Sequence, residues 1–476
     1  MRTALALAAA FAVAACSVGE PYRRPEVAVP ASFRPEEPAI AASPSLGELD
    51  WWDVFRDPPL RRLLETALAN NRDLRLASSR IAEASALAGQ AREAQWPQLD
   101  LGLGAQRGRV VQNSGYVTGG VFTGAVDASL EVDLWRRLAS QADAARANLL
   151  ASQAGRDAVE VGLMGSVATA WFSLLALDRE AAVASRAIGN RERFFDLTRR
   201  MAGRGSASGL DVSRAEASLA QAQASLPELR RQIAQTENQL DILLGGNPGP
   251  VPREADAEAP LPALPDVPAG LPSTLLERRP DLLRAEASLA AATANANATK
   301  AALFPTITLT GSYGSESFAL SQLFSGPSRV WTLGAQLLQP IVNAQRNRYA
   351  VDAARAREQQ AALTYQSAVA QAFREVADAL AARRSYAEAA AAQQRQVAAL
   401  RAARARVLRR YEIGASSYFE VIDADSALLA AELQLVEAQR NGLAASVQLY
   451  QALGGGWNRQ RLRAVPAALP VKPQAE

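Results

Sequence analysis

Residues 122–134 read FTGAVDASLEVDL. The even positions are Phe122, Gly124, Val126, Ala128, Leu130, Val132 and Leu134; the odd ones are Thr123, Ala125, Asp127, Ser129, Glu131 and Asp133. Side chains alternate across a strand with period two, so one face is apolar and the other acidic and polar. Segment 305–313 repeats the pattern, with Ile307, Leu309, Gly311 and Tyr313 set against Thr306, Thr308, Thr310 and Ser312. Segment 98–105 places Leu99, Leu101 and Leu103 on one face, and 331–337 does the same with Trp331, Leu333, Ala335 and Leu337. Each is close to the ~9–11 residues that cross a bilayer as a tilted strand. A soluble β-sandwich alternates too. The aromatic residues at matched strand ends, Trp96 with Phe304 and Phe122 with Trp331, favour an interfacial girdle and hence a membrane sheet. Four strands cannot close a barrel, since known membrane barrels begin at about eight and lipid tolerates no open edge. Several copies must therefore share one barrel.

Working outward, the strand pairs belong to a tandem duplication. Asn71-Arg72-Asp73-Leu74 matches Arg279-Pro280-Asp281-Leu282, and Gln95-Trp96-Pro97 matches Leu303-Phe304-Pro305. At a separation one residue longer, Ala144 to Ala147 match Ala353 to Ala356, Gly205 matches Gly414, Asp211 matches Glu420, and Leu244-Gly245-Gly246 matches Leu453-Gly454-Gly455. Each half reads helix, strand, loop, strand, very long helix, glycine turn, long helix. Stretches 137–202 and 346–412 are rich in Ala, Leu, Arg, Glu and Gln and contain no proline, so each predicts a helix of roughly 100 Å at ~1.5 Å per residue. Stretches 211–244 and 417–453 return, as coiled coils do. The expected division is a leader (1–15), an extended N-terminal segment (16–60), a first repeat (61–246), a proline-rich connector (247–272), a second repeat (273–456) and a tail (457–476). The Gly- and Ser-rich stretches 106–120 and 314–329 read as loops at the cell surface.

Met1-Arg2 followed by the apolar run 4–15 suits a signal peptide and is too short to span a bilayer as a helix. Val13-Ala14-Ala15-Cys16 then resembles a bacterial lipobox, which makes Cys16 the acylated first residue of the mature chain, with Ser17 implying the outer membrane. Past the leader no run of 18 apolar residues is found.

The chain has 476 residues, one cysteine and no histidine. That composition removes Ser-His-Asp and Cys-His catalysis, His-ligated metals, disulfide frameworks and CxxC zinc sites. No GxSxG or P-loop GK[ST] occurs, so no catalytic residue, metal ligand or cofactor is expected. The 51 basic and 48 acidic residues are finely mixed, and a nucleic-acid partner would favour a concentrated basic stripe.

These features together resemble the outer membrane factor family, the TolC-like and OprM-like efflux channels, and most closely its lipoprotein (NodT-type) branch. The resemblance is carried by Cys16-Ser17-Val18-Gly19, Pro21-Tyr22-Arg23-Arg24-Pro25, Trp51-Trp52, Val132-Asp133-Leu134-Trp135, Ala207-Ser208-Gly209-Leu210-Asp211-Val212, Val267-Pro268-Ala269-Gly270-Leu271-Pro272 and Leu275-Leu276-Glu277-Arg278-Arg279-Pro280-Asp281. It implies a mainly α fold with a small membrane β-part. In that fold a homotrimer forms a twelve-stranded barrel in outer membrane lipid, continued by a twelve-helix tube with a mixed equatorial region. It implies the passive exit duct of a tripartite pump, working with a periplasmic membrane-fusion adaptor and an inner-membrane transporter of the resistance-nodulation-division class. A type I secretion duct or a metal-efflux duct remains open. A periplasmic coiled-coil adaptor would lack the amphipathic strands.

The resemblance also implies site roles. Turns at Gly205, Ser208 and Gly209 and at Gly414 and Ser416 would meet the adaptor. Asp211 and Tyr411 would be linked by a hydrogen bond in a periplasmic gate, and Glu420 with Asp423 would form its paired acids. The arginine that adds a latch in TolC-like channels is replaced here by Ser416. From the strand alternation, Asp127, Glu131 and Asp133 are expected to face the barrel lumen.

Overall fold

The computed structural model describes residues 18–30, 51–112, 115–253, 261–262, 275–342 and 344–455. The expected leader, Cys16 and the tail lie outside these residues. The described elements run α1 (Trp51–Val54), α2 (Pro58–Asn70), α3 (Arg72–Glu93), β1 (Gln98–Gln112), β2 (Gly115–Val132), α4 (Arg137–Gly203) and α5 (Gly209–Leu243). They continue with α6 (Leu275–Arg278), α7 (Pro280–Ala301), β3 (Thr306–Ser317), β4 (Arg329–Leu338), α8 (Ala344–Glu412) and α9 (Tyr418–Ala452). Packing divides the chain into two compact units that cut across the repeats, each drawing segments from both.

The first unit holds the sheet, with the strands antiparallel in the order β1-β2-β3-β4. Its register aligns the alternation predicted for each strand. Leu101, Val126, Tyr313 and Trp331 form one row across all four strands, and Asp100, Asp127, Ser312 and Thr332 form the next. The apolar row is open, with Leu101 73%, Tyr313 63% and Trp331 73% exposed. A one-residue slip would send that row to the other face, so the pattern itself fixes the register.

Two sequence expectations change here. The described residues of the stretch 106–120 are strand, not loop. β1 and β2 stay paired out to Gln112 and Gly115, so the ladder runs well beyond the bilayer-spanning length. β3 likewise continues to Ser317 before two short 3-10 turns, Leu320–Gln322 and Gly326–Ser328. Phe304 stacks on Trp135 at 4.9 Å, and the Trp135 indole N–H donates to the Pro305 carbonyl at 2.8 Å.

The first unit also carries an extended strap, residues 18–27, lying on α7. The Glu20 backbone exchanges hydrogen bonds with the Asn297 amide, at 3.2 and 2.8 Å. The Tyr22 hydroxyl (3.3 Å) and the Arg24 guanidinium (2.8 Å) both donate to Glu286.

The second unit is built on long helices around an apolar core. Trp51 meets Tyr450 edge-on at 4.5 Å, and Phe55 lies 5.6 Å from Phe172. Asp57 caps α2 through the Leu60 amide and accepts the Trp171 indole N–H at 3.1 Å. Helix α4 contains a stretch long and apolar enough to cross a bilayer by composition alone, but 56% of it is buried. Val167, Trp171, Phe172 and Leu174 spend that apolarity on the core of this unit. Arg253 pins the start of the connector, reaching Asp178 on α4 and Glu237 on α5, each at 2.5 Å.

Candidate channel sites

The polar face of the sheet is the first candidate site. Asp127 sits in β2 directly opposite Asp100 of β1, an acid the alternation reading passed over. Glu131 also lies in β2, but its carboxylate is engaged by the Arg137 guanidinium at 2.9 and 2.5 Å. Asp133 is a correction. β2 ends at Val132, and Asp133 instead accepts the Ala139 amide at 2.7 Å, capping the first turn of α4. The chain leaves the sheet through Arg136, whose φ of 60° is left-handed, so the alternation persists in sequence after the strand has ended.

The two helix-to-helix turns are the second. At the end of α4 the Ser206 amide returns to the Met201 carbonyl at 2.9 Å, and Gly205 adopts φ 76°. At the end of α8 the Ala415 amide returns to the Arg410 carbonyl at 2.8 Å, and Gly414 adopts φ 74°. Both are glycine-terminated helix ends of the kind that satisfies the last free carbonyls. Each next helix opens with a capping box: Ser208 with Asp211 for α5, and Ser417 with Glu420 for α9. Gly209, expected as part of the docking turn, is the first residue of α5.

These caps decide where the predicted gate residues are. The Asp211 carboxylate takes the Ser208 hydroxyl (2.7 Å) and amide (3.1 Å), and these bonds hold it below the usual carboxylate range. The expected Asp211–Tyr411 hydrogen bond is not among the bonds of the described residues. Tyr411 is buried instead, 5.2 Å from Phe194 and 6.4 Å from Tyr418 in an aromatic cluster. Tyr418 stacks on Phe194 at 5.3 Å, and burial pushes its hydroxyl up to about 12. Glu420 is held below its usual range, first by the Ser416 hydroxyl at 2.7 Å and then by the Ser417 amide. Ser416 thus serves the cap. Asp423 is exposed.

The sequence reading missed Asp425, a half-buried acid two residues further on. It accepts Arg191 of α4 at 3.2 Å and Arg404 of α8 at 2.8 Å. Arg191 also donates to the Ser218 carbonyl of α5 at 2.9 Å, so one acid and two arginines tie all four long helices near the turns. An acid inside a helical run reads as a solvated face, and nothing local reveals partners so distant in sequence.

The model for outer membrane efflux proteins matches the chain twice, over residues 63–246 and 271–455. The chain belongs to the outer membrane efflux protein family. It is 33% identical to the cation efflux system protein CusC of Escherichia coli over 94% of its length and 98% of the relative's. It is 35% identical to the toluene efflux pump outer membrane protein TtgC of Pseudomonas putida, with 95% of each chain covered. The solved outer-membrane channel OprN superposes with a TM-score of 0.87 at 30% identity, covering 93% of this chain and all of that one. Its relatives are channels rather than enzymes. This outer membrane efflux protein is the outer membrane channel subunit of a tripartite efflux pump, reaching into the periplasm.

Proposed function

We propose that three copies complete the channel, each giving four strands to a twelve-stranded barrel and four long helices to a twelve-helix tube. The observation that carries this is the sheet itself. β1 and β4 each have one partner and therefore one open edge, while Leu99, Leu101, Leu333 and Leu337 expose 65–81% of their surface beside those edges. Lipid tolerates neither an unpaired edge nor the charged face of this sheet, and closure through copies removes both problems. In detergent the protein should run as three times the 50.5 kDa chain, allowing for leader removal. A monodisperse monomer that conducts in planar bilayers would overturn the reading.

The duct is passive, and the compound is chosen by a resistance-nodulation-division transporter delivering through a periplasmic adaptor. The adaptor meets the turns at Gly205, Ser208, Gly209, Gly414 and Ser416. Exposed Leu210 (60%), Ile413 (80%) and Phe419 (66%) supply apolar contacts there. The cargo is a small toxic compound. Likeness to the cation efflux protein CusC favours a metal cation as the second reading. Cys16 carries the acyl anchor, and outer membrane lipid surrounds the barrel.

The gate is formed by Glu420 and Asp423, whose threefold copies ring the lumen with carboxylates that repel one another and favour a wider pore. Asp211 and Tyr411 act within it as scaffold, one capping α5 and the other filling the aromatic cluster. The Arg191–Asp425–Arg404 clasp opposes opening. Asp425→Asn should raise single-channel conductance, and an unchanged closed-state conductance would remove the clasp from the gate.

A further inference from the structure

Beside the Asp425 clasp, α4, α8 and α9 leave a groove between them, a cavity of about 460 Å³ that is large enough for a small organic molecule. Its lining comes from one face of each helix. Val183, Ala187 and Asn190 recur at helical spacing on α4, as do Leu428, Leu429 and Glu432 on α9 and Arg401 with Arg404 on α8. Small residues on the α4 wall leave the room: Ala187 and Gly189 line the groove, and a Cβ added at Gly189 meets nothing within 4 Å. Val183, Leu428 and Leu429 supply apolar surface.

The charged lining is unbalanced. Arg186, Arg193, Arg401 and Arg404 share the groove with two carboxylates, Asp425 and Glu432, so two positive charges are left unanswered. Glu432 is engaged by Arg401 at 2.5 Å and Arg186 at 4.0 Å. Asp425 takes only the Nε edge of Arg404, at 2.8 Å, and is shared with Arg191. The Arg404 Nη1 and Nη2 atoms therefore have no hydrogen-bond partner among the described residues. Arg193 folds back on its own helix, donating to the Gly189 carbonyl at 3.2 Å and the Asn190 amide oxygen at 2.6 Å, and it meets no carboxylate among the described residues.

We propose that this groove binds a small amphipathic carboxylate, with its apolar body on Val183, Leu428 and Leu429 and its charge between Arg404 and Arg193. The planar fork of a guanidinium matches a carboxylate, and the Nη pair of Arg404 is the fork left over. Apolar walls beside the fork strengthen the attraction, because less water screens it there than on an open surface. Bound in this way, the ligand ties α8 to α4 across α9, using the arginine that Asp425 already holds by its other edge. The inference goes beyond the channel reading, since every residue it uses belongs to one chain and neither a second copy nor the adaptor takes part.

The test titrates 4-bromobenzoate into the purified full-length channel in detergent by calorimetry, with empty micelles subtracted and neutral 4-bromobenzamide as the control. The carboxylate should bind saturably, one per chain, with Kd of about 0.1–1 mM, and the amide about tenfold more weakly or not at all. Arg193→Gln removes a charge without breaking an ion pair and should weaken binding about threefold to tenfold. Gly189→Leu fills the groove without opposing the helix and should abolish binding while the unfolding midpoint holds. Crystals soaked in the probe should show an anomalous bromine peak beside Leu428 and Leu429. Equal binding of the amide, wild-type affinity in both variants, or a bromine peak with no saturable binding in solution (binding at crystal concentration only) overturns the proposal.

Discussion

The two helix-to-helix turns are products of one duplication and have been kept alike only where the backbone needs them alike. Gly205 and Gly414 take nearly the same left-handed φ, Ser208 and Ser417 cap the next helix, and Asp211 and Glu420 close the capping boxes. Beyond that frame they part. The second turn has Tyr418 where the first has Gly209, and Asp423 where the first has Arg214. The first therefore balances Asp211 with Arg214, while the second adds Asp423 to Glu420 and is doubly acidic. Turn geometry is a backbone requirement that both copies share, whereas charge answers to what each turn faces. In the proposed gate, the inversion at that one position is what sets the second turn apart from the first.

Making the second turn resemble the first should have the largest effect. In the proposed gate, Asp423→Arg would replace three of the six ring carboxylates with cations. The cation-over-anion permeability ratio, read from reversal potentials in planar bilayers, should fall about tenfold or invert. The reciprocal Arg214→Asp should change it by less than about twofold, because the proposed ring is made by Glu420 and Asp423 of the other turn. If both substitutions move the ratio equally, the two turns share the pore and the comparison fails.

The same contrast explains how much could be read without coordinates. The four strands and their facing were legible because one face meets lipid, and period two then appears in the residues themselves. Gly205 and Gly414 were legible because a left-handed turn between helices selects glycine. What escaped notice depended on partners far away in sequence or on where an element stops. Asp133 continues the alternation of β2 although the chain has already turned. Val110, Val111 and Val117 belong to a ladder that their Gly- and Ser-rich surroundings disguise. Asp425 looks like any surface acid until Arg191 and Arg404 are brought to it. Asp211 was matched to a distant tyrosine, but a serine three residues away is nearer, and a capping box needs no tertiary structure to form.

Backbone substitutions should act on the two turns equally. An added Cβ at Gly205 or Gly414 meets nothing within 4 Å, so alanine there is disfavoured by φ alone. Each replacement should destabilise a protomer by about 1–2 kcal/mol, measured from denaturant midpoints. A much larger loss at Gly414 would mean that the second turn is packed against another copy in the assembly. Ser208→Ala and Ser417→Ala should each cost about 1 kcal/mol by removing the cap acceptor, again with little difference between turns.

The smallest effect separates the turns by their serines. Glu420 accepts hydrogen bonds from Ser416 and Ser417, whereas Asp211 accepts them from Ser208, with Arg214 nearby, and both carboxyls titrate below their ordinary values. A carboxyl whose folded pKa is depressed stabilises the fold above its unfolded value, about 4.3 for glutamate and 3.9 for aspartate, and loses that contribution as pH falls through the folded value. Acidifying from pH 7 to about 5 should therefore leave both caps and the charge of Glu420 intact, with the Glu420 share of the cation preference declining only below the ordinary glutamate value. Ser416→Ala removes the largest contributor to the Glu420 depression, so the decline should begin at a higher pH than in the wild type. The first turn has no counterpart to this serine bond, so Ala207→Ser should leave the profile unmoved. A reversal-potential titration in which Ser416→Ala and wild type superimpose would show that the cap hydroxyl does not control the ionisation of the ring.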